Sequence, residues 1–222
     1  MTQPAAEGPA LALRYDAWFD SPWGRYAWRI ETRAVLDGLG PLTGRRVADV
    51  GCGTGRLLRI LTSNGAKAVG LDADPAMLTL AAARGPAARA DAHQLPLADA
   101  SMDAAITVAT LEFTADPAQV LAEMARVTRP GGRLVAAVLN PVSLWGILDR
   151  PARRAPYSGG CFIPRRDLLA LGRRHGQARI RSALFTAARL SATPLLGTAL
   201  ETAGKITPRL GAFQVLTVIT GT

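Results

Sequence analysis

A glycine-rich stretch early in the chain, "VADVGCGTGRLL" at residues 47–58, has the composition of a loop that binds a nucleotide cofactor. Its glycines let the backbone turn sharply and approach a ligand without interference from a Cβ atom; they are Gly51, Gly53 and Gly55. A dinucleotide-binding loop reads G-x-G-x-x-G, but Arg56 stands where the third glycine of that pattern would fall. Asp49 would repel a pyrophosphate, whereas it suits a ligand that carries an ammonium group.

Two further acids follow later apolar runs and could bind the rest of such a ligand. Asp72 closes "AKAVGLD", where a carboxylate can accept hydrogen bonds from both hydroxyls of a ribose. Asp91 lies in "ADAHQLPL" and could accept from an adenine amine, with the Ala92 N–H facing a ring nitrogen. The three acids and the glycine loop together favour S-adenosylmethionine (SAM), which carries an ammonium and no phosphate. An NAD(P)-linked oxidoreductase would also use an acid like Asp72, but Asp49 and Arg56 argue against it.

The elements that would position these acids alternate along the chain between strands and helices. Strand-like runs are "RRVADV", "AKAVGLD", "DAAITVAT" and "RLVAAVLN", and helical patterns of about ten residues separate them. This alternation predicts an α/β fold with a parallel sheet covered on both faces. No clear crossover helix precedes the last run, "GAFQVLTVIT", so we expect it to pair antiparallel at the sheet edge. Residues 1–10 are expected to be a disordered lead-in.

The composition is that of one globular domain of 222 residues, 49% hydrophobic and 19% charged. The sequence contains no apolar run long enough to span a membrane and no secretory signal pattern. Its two cysteines, Cys52 and Cys161, provide neither a disulfide framework nor a C-x-x-C zinc motif, and no metal site is predicted. We therefore expect a cytoplasmic protein.

Positive charge is concentrated in the C-terminal part of the chain. Residues 1–130 contain 13 Lys/Arg and 14 Asp/Glu, whereas residues 131–222 contain 13 and 3. The arginines are densest between Arg150 and Arg181 and could attract an acidic substrate, RNA or an anionic membrane surface. A solvated surface in an arginine-rich proteome explains them equally well. The sequence argues against RNA, because the basic residues are not interleaved with aromatic ones and no RNA-binding module is appended.

Four stretches resemble the class I SAM-dependent methyltransferases of the "type 11" group, which includes quinone-biosynthesis C-methyltransferases. They are "VADVGCGTG", "VGLDADPAML", "ADAHQLPLADASMDAAITVATLEF" and "LAEMARVTRPGGRLVAAV", and the resemblance covers about residues 45–140. It implies a Rossmann-like, mostly parallel seven-stranded sheet with helices on both faces and an antiparallel C-terminal edge strand. The leader "YDAWFDSPWGRYAWRIE" is similar to one in small bacterial methyltransferases, in which an N-terminal tyrosine closes over the cofactor.

The resemblance implies a set of cofactor-binding residues, which includes a tyrosine in the leader and a threonine that would lie beside the transferred methyl group. The set is Tyr15, Asp49, Gly51, Cys52, Gly53, Gly55, Asp72, Ala73, Met77, Asp91, Ala92 and Thr110. The chain is then a single methyltransferase domain over residues 1–222. We divide it into an N-terminal helical lid at 1–40, a SAM-binding core at 41–140, and a substrate-side insertion with the last two strands at 141–222.

The substrate side departs from the quinone enzymes, which often carry histidine-rich residues where this chain has Leu111, Glu112 and Phe113. Glu112 is the candidate catalytic residue, as a general base or as a group that holds the substrate; a solvated loop acid is the alternative. The predicted function is methyl transfer from SAM to a small-molecule acceptor that is hydrophobic or anionic, which leaves S-adenosylhomocysteine (SAH). An RNA methyltransferase and a catalytically idle SAM-binding or regulatory domain are the alternatives, and a homodimer is compatible with the sequence.

Overall fold

The computed structural model describes residues 8–140, 142–143, 160–185, 201–202, 204 and 207–221. Its helices are α1 (Gly8–Trp18), α2 (Pro22–Leu39), α3 (Arg56–Ser63), α4 (Pro75–Ala81), α5 (Pro117–Val127) and α6 (Arg165–Arg173). Its strands are β1 (Arg46–Val50), β2 (Lys67–Asp72), β3 (Ala87–Arg89), β4 (Met102–Val108), β5 (Thr128–Leu139), β6 (Gly176–Ala183) and β7 (Phe213–Thr220). Short 3₁₀ helices lie at Leu111–Phe113 and Pro208–Leu210.

The strands form one sheet in the order β3-β2-β1-β4-β5-β7-β6. The first five positions are parallel, and β7 runs antiparallel to both of its neighbours. This confirms the predicted Rossmann-like sheet and its antiparallel C-terminal strand. The last strand lies one position in from the edge because nearly all of its residues are buried, whereas the outermost β6 alternates half-buried and exposed residues.

Each face of the sheet carries its own apolar core. On one face α2 and α3 cover residues such as Val47, Ile106 and Val135. On the other face α5 and α6 cover Ala105, Leu134 and Leu216. The carboxyl ends of β1, β2 and β4 lie at one edge of this sandwich, which is where ligands bind in open α/β sheets.

The N-terminal region is helical from Gly8, so the expected disorder over residues 1–10 is wrong for positions 8–10, while residues 1–7 lie outside the described part. The short non-helical segment between α1 and α2 ends at Ser21. The Ser21 hydroxyl accepts a hydrogen bond from the Gly24 N–H at 3.0 Å and so caps the N-terminus of α2. Strand β5 begins at Thr128, five residues before the strand-like run at 133–140 from which it was predicted. Among the described helices, none is long and apolar enough to cross a bilayer.

Residues 144–159, which include Arg150, Arg153 and Arg154, lie outside the described residues, whereas the rest of the arginine-rich stretch, from residue 160 to Arg181, is described. The role predicted for that stretch therefore stays a prediction. The described part of the stretch contains α6.

Candidate functional site

The glycine loop connects β1 to α3, and side chains at its glycine positions would strain the backbone or clash with neighbouring residues. Gly51, Gly53 and Gly55 all have positive φ angles, at 71°, 54° and 79°. A Cβ atom on Gly51 would lie 2.3 Å from the Thr110 hydroxyl, and one on Gly55 would lie 2.9 Å from the Ala81 Cα. The loop thus packs tightly against the end of β4 and against α4. The N–H groups of Gly51 and Cys52 donate to the Leu71 carbonyl at the end of β2, which fixes the loop beside that strand.

Asp72 and Asp49 lie at the ends of adjacent parallel strands, and their environments differ. The Asp72 carboxylate accepts from the Gly53 N–H at 2.7 Å and from the Asp74 N–H at 2.9 Å, which orients it beside the glycine loop. Asp49 is 2% exposed, and its Oδ2 has no hydrogen-bond partner among the described residues. Burial, with the nearby charge of Asp72, raises the pKa of Asp49 to about 7. A buried carboxylate oxygen without a partner fits the ammonium group of SAM.

Asp91 lies in the loop after β3, where its carboxylate is exposed and held by His93. One carboxylate oxygen accepts from the His93 N–H at 2.9 Å and contacts Nδ1 of the same histidine at 2.7 Å. These bonds lower the pKa of Asp91, so it remains ionised. His93 therefore positions the acid predicted to bind adenine, and Ala92 is half-buried between the two.

The remaining predicted cofactor residues surround the same loop. Thr110 follows β4, and its hydroxyl lies 3.3 Å from the Gly51 carbonyl and 3.1 Å from the Val108 carbonyl. Cys52 is buried inside the loop, and this burial raises the pKa of its thiol. Ala73 is exposed after β2, and Met77 is half-buried in α4. The structure thus brings most of the predicted set to one edge of the sheet.

Tyr15 reaches this edge from α1. Its ring lies 3.7 Å from the position that a Cβ on Gly53 would occupy. Burial of the hydroxyl raises its pKa, and the negative charges of Glu31, Asp72, Asp16 and Asp49 raise it further. The phenol is therefore neutral, and it lies among carboxylates next to the glycine loop.

Asp16, which the sequence reasoning missed, attaches α1 to the site. Its carboxylate receives two bonds from Arg84, at 2.6 and 2.8 Å, and two from Arg56, at 2.8 and 3.1 Å. The Thr54 hydroxyl adds a fifth bond at 2.7 Å. Burial opposes ionisation of Asp16, but these donors outweigh it and hold its pKa well below the usual range. We call Asp16, Thr54, Arg56 and Arg84 the Asp16 clasp, and it explains why arginine stands at position 56.

Glu31, also missed from sequence, lies on the buried face of α2 with Ala27 and Val35. Its side chain is 6% exposed, and burial raises its pKa to about 7 with no offsetting hydrogen bond or charge from a described residue. The sequence contained one signal for this burial. Glu31 lies four residues from both Ala27 and Val35 in an apolar stripe of the helix, and positions in such a stripe normally face a core. Glu31 is therefore a buried carboxyl group near Tyr15 that lacks a partner in the described part of the chain.

Glu112 is 1% exposed, so the alternative of a solvated loop acid is wrong. Its Oε1 accepts from the Leu139 N–H at 2.7 Å, while its Oε2 is buried without a partner among the described residues. Burial raises its pKa to about 7, although the bond from Leu139 acts in the opposite direction. The side chain joins the end of β4 to the end of β5, and its predicted catalytic role stays a prediction.

Replacing Asp16 by alanine should destabilise the protein by roughly 3 kcal/mol or more, because it leaves two largely buried guanidinium groups without their shared carboxylate. The Arg56 and Arg84 side chains are 13% and 17% exposed. Asp20→Ala is the matched control, since Asp20 also binds Arg56 but is 65% exposed and should matter far less. Urea denaturation measures both variants, and equal effects would show that the Asp16 clasp does not anchor α1.

The ligand-free protein should lose stability as the pH rises from about 4 to about 7, because over that range the unfolded chain has released protons that the buried carboxyls of the folded protein still hold. The pKa values of Glu31, Asp49 and Glu112 are each raised to about 7, from ordinary values of 4.5, 3.8 and 4.5. Their contribution is complete below the ordinary values and is lost as the pH passes about 7. Urea midpoints across this range test the slope, and Asp49→Asn should flatten it; a slope of the opposite sign would contradict the assignment.

A family model described as a methyltransferase domain matches residues 48–136. An uncharacterized methyltransferase of Mycobacterium tuberculosis is 43% identical over 103 residues, which cover 45% of this chain and 42% of that protein. A demethylmenaquinone methyltransferase of Mycolicibacterium paratuberculosis is 44% identical over 117 residues, 52% of this chain and 50% of that protein. The chain thus spans about half or less of the length of the curated relatives it matches.

A solved structure extends the likeness beyond the matched segment. A SAM-dependent methyltransferase from Thermotoga maritima, described as a possible histamine N-methyltransferase, superposes with a TM-score of 0.76 at 25% identity. The superposition covers 96% of this chain and 97% of that one. The predicted fold is confirmed. Residues 48–136 match a methyltransferase domain, and the whole described fold resembles that of a SAM-dependent methyltransferase.

Proposed function

We propose that the protein transfers a methyl group from SAM to a small-molecule acceptor. The observation that carries this proposal is the Oδ2 of Asp49, which has no partner in the described part of the chain and is buried at the end of β1 beside the oriented carboxylate of Asp72. A phosphate-bearing cofactor would be repelled by this pair of acids. SAM, in which an amino acid is joined to a nucleoside, would supply an ammonium group for Asp49 and ribose hydroxyls for Asp72.

The roles of the chain's residues follow from their positions. Asp49 would accept from the ammonium group, Asp72 from the ribose hydroxyls and Asp91 from the adenine amine. Tyr15 would cover the loop and help exclude water, which strengthens the electrostatic interactions inside the site. When bound, SAM supplies a methyl group that its positive sulfonium has already activated, so alignment of the acceptor is the protein's main task.

The acceptor side is formed by elements outside the matched segment. The names of two relatives, a demethylmenaquinone methyltransferase and a malonyl-[acyl-carrier protein] O-methyltransferase, support an organic acceptor. The aromatic residues of α1 and α2 support one with an apolar part. Phe19 is buried and makes edge-to-face contacts with Tyr15 at 5.2 Å, Trp18 at 4.9 Å and Trp28 at 5.1 Å.

We expect calorimetric titration with SAH to show binding that Asp72→Ala and Asp49→Asn each weaken by at least about tenfold, the cost of losing one hydrogen bond to a charged group. Asp37→Asn is the control, because Asp37 is an exposed acid on α2. Binding of neither SAM nor SAH by the wild type would overturn the proposed function. Binding without turnover of any acceptor would favour an idle SAM-binding domain.

For Glu112 we propose a positioning role, since both of its oxygens are buried and one is bound to the β5 backbone. Glu112→Gln should retain folding and most activity, because the amide oxygen can still accept from the Leu139 N–H. Glu112→Leu should cost about 1–3 kcal/mol by leaving that N–H unpaired in the interior. Denaturation and methyl-transfer assays measure the two effects. Loss of turnover in a stably folded Glu112→Gln variant would instead identify the carboxylate as the general base.

A further inference from the structure

The carboxylate of Asp91, the acid proposed to accept from the adenine amine, lies on an exposed loop. Its side chain is 69% exposed, so a fixed orientation costs conformational entropy that other contacts must offset. Two hydrogen bonds reach this carboxylate within the described part of the chain, and both come from His93. The backbone N–H donates at 2.9 Å and the ring Nδ1 lies at 2.7 Å. Both bonds end on Oδ1, so Oδ2 can accept from a ligand.

His93 is fixed on its other side to the start of α5. Its Nε2 accepts from the Asp116 N–H at 3.3 Å, and its backbone carbonyl accepts from the Gln119 side-chain amide at 3.3 Å. Since Nε2 accepts a hydrogen bond, it carries no proton, and the ring proton lies on Nδ1, which donates to Asp91. The imidazole therefore bridges the Asp91 carboxylate and the backbone of a helix.

The helix at which this bridge ends is a firm support. The Asp116 carboxylate caps α5, because it accepts from the N–H groups of Ala118 and Gln119 at 2.9 and 3.1 Å. The next turn carries Val120 and Leu121, which are fully buried against the sheet. A carboxylate that is linked to such a support loses less freedom when a ligand binds, and this preorganisation strengthens binding.

We propose that His93 is a positioning residue, which anchors Asp91 to α5 and so gives the cofactor site its preference for a purine with a 6-amino group. This inference rests on the proposed function and names the residue that supports base selection in the same site. Without the bridge, the site would still bind the rest of the cofactor through Asp49 and Asp72. It would distinguish less well between bases, because Asp91 would have to be ordered on binding.

The test compares two ligands by calorimetry, SAH and its 6-deamino analogue, in which hydrogen replaces the exocyclic amine of adenine. We expect the wild type to bind SAH at least about tenfold more tightly than the analogue, the effect of one hydrogen bond to a charged group. His93→Ala should reduce this preference by about two- to tenfold, the effect of ordering one side chain on binding, and leave the affinity for the analogue unchanged. Asp91→Ala should abolish the preference. The control is His175→Ala, which replaces the other histidine of the chain, after α6, and should retain it.

Two conservative variants separate the two ends of the bridge. His93→Asn keeps a donor near the position of Nδ1 but is too short to reach the Asp116 N–H, whereas His93→Gln keeps an acceptor near the position of Nε2 but has no donor beside Asp91. We expect His93→Asn to restore part of the preference that His93→Ala loses, and His93→Gln to restore less. Full preference in either variant would show that one end of the bridge is not needed, and would overturn the anchoring of Asp91 to α5.

The outcomes separate this inference from the proposed function. Failure of the wild type to bind either SAM or SAH would overturn the proposed function itself. Binding of SAH with no preference over the analogue, or a preference that His93→Ala retains in full, would overturn only the role of His93. Equal weakening of both ligands in His93→Ala would show that His93 supports the loop as a whole, and this result would also overturn the inference. Thermal unfolding of each variant checks that the fold is retained.

Discussion

The candidate site depends on one ion-pair cluster, the Asp16 clasp, which ties the first helix to the glycine loop and to the residues after α4. Five hydrogen bonds converge on a single carboxylate there. Because two guanidinium groups share one acid in a largely buried setting, removing that acid leaves both uncompensated. The clasp holds α1 so that the Tyr15 ring lies beside Gly53 at the sheet edge.

Burying acids near this sheet edge costs free energy, because a protein interior stabilises an ionised carboxylate less well than water does. Glu31 on α2 and Asp49 on β1 are both buried, and burial raises the pKa of each because the protein interior disfavours the charged form. A ligand that brought positive charge next to either carboxylate would relieve this penalty. Glu112 differs from these two acids, because its carboxylate accepts a hydrogen bond from the backbone of β5 and stabilises the junction of two strand ends.

Much of the fold was predictable because it is encoded in short-range patterns. The alternation of apolar strands and amphipathic helices, together with the glycine loop, predicted the parallel sheet and the edge at which ligands bind. The position of β7 was less accessible. Its antiparallel direction was predicted because no crossover helix precedes it. Its position between β5 and β6 depends on the burial of both of its faces, and the apolar pattern of a strand indicates such burial only ambiguously.

The sequence by itself determined the class of fold, the cofactor loop and the acids at the strand ends, since each depends on residues close together in the chain. Only the tertiary structure decided which side chains complete the site. Asp16 meets Arg56 and Arg84 across 40 and 68 residues, and no local pattern specifies such pairs. Glu31 likewise resembles any other acid of an amphipathic helix in the sequence, and only packing shows that it is buried without a partner among the described residues. Burial and charge pairing are properties of the assembled interior, and these properties distinguish a buried acid from a solvated one.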